Sequence, residues 1–358
     1  MQLVRELLRR VGARDRGHAL RLTLLNAAYG GRRSGPRVFY VDAFSQFMGR
    51  SNSEGLANAF AAAGPTRAFD FRREARRLGP AGMNERLVAE ATRFKPDLIL
   101  LVMAESVTVE ALTRVRGATN ARIVYFYPDL RERPPEFVGA LGSVADLVCF
   151  PWEDPAFTSD WLGRDFTAAF WRPGVDSKVF KPVPSLRRFD LLFLGNNAAP
   201  PIPGAQERRD FIRALSKSGW SLTLFGEGWE HLAGPCVTVA PFVNGVAFSR
   251  ACSQARVCIG FGSDRVRRYT SWARPFRTMA SGAFFLTRRF PGIDIDFEKG
   301  RHLDWFRTTE EAIGLIEQHL RNEEGARNIA NEGSALVRTR HTWDARRDEL
   351  FKLARGSK

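Results

Sequence analysis

Residues 267–287 carry arginines at the start of a predicted helix and then run into an apolar strand. Pro275 favours the first turn of a helix, where its missing N–H is not needed, and Gly282 favours the helix end. A helix start attracts phosphate, because it has unpaired N–H groups and the positive end of the helix dipole. Arg274 and Arg277 would add bidentate donors to such a group. The segment therefore indicates a phosphate site, with a solvated basic helix start as the alternative.

Carboxylates follow three of the predicted strands in the first half of the chain. Asp42, Glu105 and Asp129 each come directly after an apolar, strand-like run. A carboxylate near an acceptor hydroxyl can act as a general base, and a cap or turn role is the alternative for each. We place Asp129 first among the candidate bases.

Alternating strands and helices predict the elements that must position these groups. In the first half, Ser53 is predicted to cap a helix over residues 54–63, and the strands are predicted at 37–43, 97–104, 121–127 and 146–150. A break over residues 168–182, rich in proline and glycine, reads as a crossing loop between domains. A second alternation follows, with strands at 189–194, 221–225, 257–260 and 283–286. Such alternation favours α/β domains with parallel sheets covered on both faces.

Ligands of open parallel sheets bind outside the carboxyl ends of the strands. The rule collects the following segments: residues 42–53, Glu105, Asp129, Gly195 with Asn196, and the turn Gly226, Glu227 and Gly228. With two domains facing each other, this region becomes an interdomain cleft. The arginines of residues 267–287 would face into that cleft.

The net charge of +15 comes mainly from arginine. Such a field favours anionic partners such as nucleotides, acidic glycans, an anionic membrane or nucleic acid, and genomic base composition is the alternative explanation. The chain has no RNP, zinc-finger or helix-turn-helix signature, so nucleic acid is not an expected partner. The hydrophobic content of 44% predicts packed cores and excludes a disordered chain.

Cysteine usage and the start of the chain bear on location. None of the four cysteines forms a Cys-x-x-Cys pair, and Asp294-Ile295-Asp296 falls in a loop rich in proline and glycine, so no metal is expected. No segment approaches the roughly 20 apolar residues that span a bilayer, and the first residues lack the apolar region of a signal peptide. We therefore expect a cytoplasmic protein. Residues 1–11 form a predicted basic amphipathic helix, for which peripheral contact with an anionic membrane and packing on its own domain are both open.

Four ordered motifs make the C-terminal half similar to the donor-binding domain of GT-B glycosyltransferases, particularly the spore-maturation CgeB-like group. They are F-W-R-P-G-V-D at 170–176 with F-K-P at 180–182, F-L-G-N at 193–196, R-P-F-R-T-M-A-S-G-A-F-F-L-T at 274–287, and T-E-E-A at 309–312 with H-T-W at 341–343. The N-terminal half matches more loosely, through Gly49, the helix after it and Y-P-D at 127–129.

The resemblance implies the GT-B fold, in which two Rossmann-like domains turn parallel sheets toward an interdomain cleft. It implies an acceptor-binding domain over residues 1–180 and a donor-binding domain over 181–358, with the last helix free to pack back on the first domain. The implied reaction moves a sugar from a nucleotide diphosphate sugar to a glycan, lipid-linked, protein or small-molecule acceptor, without a metal or other cofactor. By matching position, Arg274 would bind and stabilise the departing diphosphate.

The same reading assigns the site residues. The expected donor-binding residues are Gly195, Asn196, Gly226, Glu227, Gly228, Arg274, Phe276, Arg277, Ser281 and Gly282. The expected acceptor-binding residues are Phe44, Gly49, Arg50 and Glu105. The expected catalytic residues are Asp129, Asp42 and Arg274.

Arg277 departs from the family pattern, which has a glutamate there that holds the donor ribose or sugar hydroxyls. A guanidinium cannot accept those hydrogen bonds, so either the donor is held differently, with Glu227 as one substitute, or donor binding is lost. Three alternatives therefore stay open. They are a catalytically inactive GT-B protein that binds nucleotide or glycan, a polyanion-binding protein, and an enzyme of sugar-nucleotide epimerisation or glycosyl phosphorolysis.

Overall fold

The structure is a computed structural model, and it describes residues 26–27, 34–44, 50–163, 166–197, 204–262, 266 and 273–356. For residues 50–52 it describes the backbone alone. The predicted helix over residues 1–11, Gly49 and the arginines at 267 and 268 lie outside the described residues. Among the helices that are described, none is both long and apolar enough to span a membrane.

The first half of the chain forms a parallel sheet covered by helices. Its strands are β1 (Val38–Asp42), β2 (Thr66–Asp70), β3 (Leu98–Val102), β4 (Arg122–Phe126), β5 (Leu147–Phe150) and β6 (Ala168–Phe170). Its helices are α1 (Arg50–Ala63), α2 (Phe71–Phe94), α3 (Val109–Ala118), α4 (Glu136–Gly142) and α5 (Pro155–Leu162). The central strands are apolar and buried along their whole length, as expected for a sheet with two covered faces.

The second half repeats this plan. Its strands are β7 (Phe189–Leu194), β8 (Leu222–Phe225), β9 (Val237–Ala240), β10 (Ala255–Gly260), β11 (Phe285–Arg288) and β12 (Asp304–Phe306). Its helices are α6 (Ala205–Leu215), α7 (Val246–Gln254), α8 (Ala273–Ala280), α9 (Ile293–Asp296), α10 (Thr309–Arg321), α11 (Glu323–Arg340) and α12 (Trp343–Gly356), with a 3₁₀ turn at Glu230–Leu232.

The strand order defines where each sheet can bind a ligand. The first sheet runs β2-β1-β3-β4-β5-β6 and the second runs β12-β11-β10-β7-β8-β9. The direction of winding therefore reverses between β1 and β3 in the first sheet, and between β7 and β10 in the second. Ligands of such sheets bind at the carboxyl ends of the strands beside this reversal.

The chain crosses between the two halves twice, because α12 returns to the first sheet. The linker meets the start of α12 through a bridge between Val175 and Thr342. The Phe351 ring of α12 lies 5.9 Å from the Phe60 ring of α1. Arg347 Nη1 donates to the carbonyl oxygen of Ala59 at 2.7 Å. Helix α12 thus belongs by packing to the N-terminal half.

The structure differs from the sequence predictions at several elements. Residues 168–170, predicted as part of a loop, form the edge strand β6, which pairs with β5. Ser53, predicted as a helix cap, lies inside α1, where it is buried and hydrogen-bonds to Asp42. Three strands were missed, β2, β9 and β12, because they are short and carry polar residues on a sheet edge or beside one.

Candidate active site

The loops that follow β7 and β8 are joined by hydrogen bonds. The Asn197 amide donates to the Glu227 carbonyl at 2.8 Å, and Asn196 Oδ1 accepts from the Glu227 amide at 3.0 Å. A Cβ on Gly226, whose φ is +142°, would lie 2.6 Å from the Gly195 carbonyl oxygen, so the approach requires glycine. The structure therefore brings one sequence-predicted set together: Gly195, Asn196, Gly226, Glu227 and Gly228.

Arg274 reaches this pair of loops from the first turn of α8. A Cβ placed on Gly195 would lie 2.8 Å from Arg274 Nη2, which shows how closely the guanidinium approaches the glycine. The Arg274 Cζ atom also lies 5.5 Å from the centre of the Phe193 ring. Arg274 and Gly195 thus meet at the β7 end of the winding reversal, where an open α/β sheet binds its ligand.

Arg208 and Arg277 complete what we call the arginine cluster, defined as Arg208, Arg274 and Arg277. The Arg208 and Arg277 residues are only 8% and 9% exposed, and the Nε atom of each is buried without a hydrogen-bond partner. Within the described part of the chain, no carboxylate contributes to the electrostatics of any of the three. Burial lowers the pKa of all three, to about 10 for Arg274, where the charges of Arg208 and Arg277 add to the effect.

The arginine cluster extends from the Gly195 loop to the linker between the two halves. The Arg277 Cζ atom lies 5.1 Å from the ring centre of Phe180, a fully buried linker residue. The three-residue spacing places Arg277 one helical turn beyond Arg274 on the same side of α8. An uncompensated buried charge costs several kcal/mol, so this arrangement is suited to an anionic ligand.

Three further donor-site candidates take supporting positions around α8. Phe276 is fully buried, and its ring stacks on His341 with ring centres 5.0 Å apart. The Ser281 hydroxyl donates to the Arg277 carbonyl at 2.8 Å. Gly282, with φ +75°, ends the helix, and a Cβ there would lie 2.8 Å from Pro182. These contacts are with the core and the linker, so the residues hold α8 in place.

In the first sheet, Asp42 ends β1 with both carboxylate oxygens engaged. Tyr40 donates its hydroxyl to Oδ2, and the Ala43 amide donates to Oδ1 at 2.6 Å. Burial raises the pKa of Asp42 to about 6, and the charge of Asp70 adds to this rise. Because its oxygens are occupied, Asp42 is poorly placed to accept a proton from a substrate.

Glu105 and Asp129 meet at the carboxyl ends of the neighbouring strands β3 and β4. Arg72 Nε donates to Glu105 Oε1, while Oε2 of the same carboxylate is buried without a partner. Arg131 Nη2 lies 3.5 Å from Asp129 Oδ2. Burial raises the pKa of Asp129, although Arg131 and Arg72 oppose this rise. The two carboxylates and two arginines form a polar group that can orient a hydroxylated acceptor.

The backbone just before Glu105 is strained. Met103 and Ala104 have φ values of 59° and 56°, a region that side chains other than glycine rarely adopt. The Tyr125 hydroxyl donates to the Met103 carbonyl at 3.0 Å and helps to hold this conformation. Strain of this kind clusters at functional sites, which supports the strand end beside Glu105 as part of one.

The remaining acceptor candidates differ in how far the structure describes them. Phe44 is fully buried, and its ring meets Tyr40 edge-on at 5.3 Å, so it belongs to the core. Arg50 is the first residue of α1, and only its backbone is described. Gly49 lies outside the described residues.

Over the described residues, no group of three or more histidine, cysteine, aspartate or glutamate side chains could hold a metal ion. The Asp-x-Asp triplet is used in ion pairs. Asp296 pairs with Arg172, and Asp294 Oδ2 lies 3.3 Å from Arg289 Nη2.

Sequence reasoning missed Arg208, Arg72 and Arg131. For Arg208 a signal was present, because it lies three, four and seven residues before Phe211, Ile212 and Leu215 on the buried face of α6. An arginine on an apolar helix face is either paired or functional. Arg72 and Arg131 carry no such mark, since their roles depend on strands that only the fold brings together.

Comparisons with known proteins agree with this geometry. Residues 207–352 match the family model described as glycosyl transferase-like, a span that contains the whole arginine cluster. A sucrose-phosphate synthase from Thermosynechococcus elongatus superposes with a TM-score of 0.63 at 14% identity, covering 89% of this chain and 98% of that one. The Anabaena protein HepE, in complex with UDP and glucose, gives 0.61 at 14% identity, covering 88% and 98%.

The catalytic domain of starch synthase IV from Arabidopsis thaliana, bound to ADP and acarbose, gives a TM-score of 0.64 at 10% identity, covering 90% of this chain and 99% of that one. No curated protein sequence matches the chain. Identities this low establish the fold alone. The chain therefore has the α/β fold of GT-B glycosyltransferases, with two parallel six-stranded sheets.

Proposed function

We propose that the protein is a glycosyltransferase that moves a sugar from a nucleotide diphosphate sugar to a hydroxyl acceptor. The second sheet would bind the donor and the first sheet the acceptor. The match of residues 207–352 to a glycosyl transferase-like family supports the reaction class. Two proteins of the same fold hold UDP or ADP, which supports a nucleoside diphosphate donor.

The single observation that carries the proposal is the arginine cluster. Its guanidiniums are buried at a ligand-binding strand end, without a carboxylate partner among the described residues. Structural arginines buried in a core are normally paired, because an isolated buried charge is strongly unfavourable. A diphosphate would supply the missing negative charge.

The proposed chemistry follows from where charge develops. When the bond between sugar and phosphate breaks, negative charge grows on the diphosphate, and Arg274 beside Gly195 would stabilise it. Preorganised guanidiniums could do this without a metal ion. Glu227, which is exposed at the turn after β8, would accept hydrogen bonds from donor hydroxyls in place of the family glutamate.

Asp129 is the proposed general base on the acceptor side. It follows β4 and shares its surroundings with Glu105, Arg72 and Arg131. A raised pKa brings a carboxylate nearer to neutrality and so makes it a better proton acceptor at physiological pH.

Arg274→Gln tests the proposal, with Arg213→Gln as a matched control. Arg213 lies on α6, exposed and paired with Asp210 at 2.7 Å, so its loss removes one charge without touching the cluster. Titration calorimetry with UDP, ADP and GDP, and donor turnover, should show a loss of about tenfold or more for Arg274→Gln alone. Equal effects of the two variants would refute the assignment of Arg274.

A nucleotide-binding protein without transferase activity is the second candidate. It is favoured by Arg277, which occupies the position of the family glutamate. Tight nucleotide binding without hydrolysis or transfer of any sugar donor would favour this candidate. Donor hydrolysis would rule it out.

A further inference from the structure

A diphosphate does not neutralise the whole arginine cluster. A nucleotide diphosphate sugar carries one negative charge on each of its two phosphates, whereas the cluster holds three guanidiniums. The start of α8 adds further positive potential. Because a buried cation without a counter-ion is strongly disfavoured, the ligands should bring a third anionic group.

Arg277 is the guanidinium that the diphosphate is least placed to reach. Arg274 approaches Gly195, whereas Arg277 lies one turn further along α8 and over the ring of Phe180. The Nε atom of Arg277 is buried and has no hydrogen-bond partner, although the residue is more than nine-tenths buried. A second anionic group would therefore sit beside the diphosphate, on the linker side.

The layout of a donor molecule follows the same line. The loop after β8 and the Gly195 loop are joined, and Arg274 follows them toward the linker, with Arg277 beyond it. A donor laid along this line would place its nucleoside by the β8 loop and its diphosphate by Gly195 and Arg274. Its sugar would then come to Arg277.

We propose that the donor sugar is a hexuronate, whose carboxylate pairs with Arg277. This inference rests on the proposed function. A guanidinium forms two parallel hydrogen bonds with a carboxylate, and the planar Arg277 group is held flat over Phe180. The hydroxymethyl group of a neutral hexose would leave the charge of Arg277 buried and uncompensated. A phosphate on the acceptor has the same chemistry, and the test below separates the two sources.

Matched donor pairs that differ only at this group test the inference. The wild-type protein is titrated with UDP-glucose against UDP-glucuronate and with GDP-mannose against GDP-mannuronate. We expect the uronate to bind about tenfold or more tightly in the pair with the correct base. Arg277→Gln should bring the ratio close to one, and Arg277→Lys should keep part of it. Arg274→Gln should weaken both members alike and preserve the ratio, and thermal melting of each variant checks that it is folded.

Each contrary outcome has a distinct meaning. Equal binding within every pair overturns the uronate donor and leaves the proposed function standing. A preference that survives in folded Arg277→Gln overturns the role of Arg277. If glucose 6-phosphate tightens the binding of neutral donors tenfold, the third anion belongs to the acceptor and the inference fails. If the folded wild type binds no sugar nucleotide at all, the proposed function and the inference both fail.

Discussion

Two carboxylates at the strand ends of the first sheet have raised pKa values for the same reason, which is burial. They differ in their partners. Asp42 accepts hydrogen bonds from Tyr40 and from the Ala43 amide, so its oxygens are occupied. Asp129 has one contact to Arg131, at 3.5 Å, and keeps the freedom to accept a proton. Environment, rather than residue type, separates the candidate base from the structural carboxylate.

Asp129→Asn is expected to lower turnover by about 10²–10⁴, because an amide cannot take a proton from the acceptor. Donor affinity should change little, since the donor is expected on the other sheet. In the wild type, the acidic limb of the pH–rate profile should lie above the ordinary aspartate pKa, because burial raises the pKa of Asp129. Steady-state kinetics against pH, with calorimetry for the donor, measures both.

Asp42→Asn provides the comparison for this prediction. The amide oxygen can still accept from Tyr40 or from the Ala43 amide, so we expect turnover to stay within about threefold of wild type. A larger loss in Asp42→Asn than in Asp129→Asn would reverse the assignment of the base.

At the scale of elements, the donor side depends on how closely two loops approach. The loops after β7 and β8 meet where Gly226 lies against the Gly195 carbonyl, and Arg274 comes down on the other side of Gly195. Both glycines therefore act by having no side chain. The position of Arg274 depends on this contact as much as on its own helix.

Gly226→Ala should separate the two loops and displace Arg274. The new methyl group would lie 2.6 Å from the Gly195 carbonyl oxygen, at a φ of +142° that alanine rarely adopts. We expect nucleotide affinity to fall by about tenfold or more, together with about 1–3 kcal/mol of stability. Calorimetry and denaturant unfolding report these two losses.

Gly234→Ala is the matched control on the same part of the sheet. A Cβ there would come no nearer than 4.0 Å to the Leu232 carbonyl, so the change should be tolerated. Should Gly234→Ala weaken nucleotide binding as much as Gly226→Ala does, the effect would not come from the contact between the loops.

The elements that could be read from the sequence are those whose apolar pattern is local. Strands such as Leu98–Val102 are continuous apolar runs, and the motif before Gly282 has helix signals at both ends. By contrast, Thr66–Asp70 holds Arg67, whose charge is compensated by Glu90 at 2.8 Å on a different element. A charge that is neutralised across the fold looks, in sequence, like a reason against a strand.

At the scale of the whole molecule, the two halves join through a buried polar group. Arg172 of the linker pairs with Asp296 of α9. His341 Nδ1 lies 2.7 Å from Arg346 Nη2 and must accept the hydrogen bond, since a guanidinium only donates. The Trp171 indole donates to the Arg346 carbonyl at 2.9 Å. The junction therefore requires a neutral His341, and its partners are too distant in sequence to predict.

The junction should weaken in acid. Burial and the charge of Arg346 lower the pKa of His341 to about 3 from its ordinary 6.5. The unfolded chain therefore binds the proton more readily, so stability is complete above about pH 6.5 and is lost as the pH falls. Urea unfolding between pH 6.5 and 4 should show a loss of up to about 1.4 kcal/mol per pH unit from this group.

His341→Gln should remove that part of the slope, because the glutamine side chain does not titrate. Exposed His231→Gln serves as the control and should leave the slope unchanged. An identical slope in wild type and His341→Gln would show that the histidine is not what makes the junction sensitive to acid.

The return of α12 to the first sheet has a consequence for recombination between relatives. The Trp343 and Leu350 side chains belong to the hydrophobic core around the first sheet, although they follow the donor half in the chain. A chimera spliced at the linker alone would graft a foreign closing helix onto a core that was not shaped for it. Swapping acceptor halves should succeed only when residues 343–356 travel with them as a second, discontinuous piece.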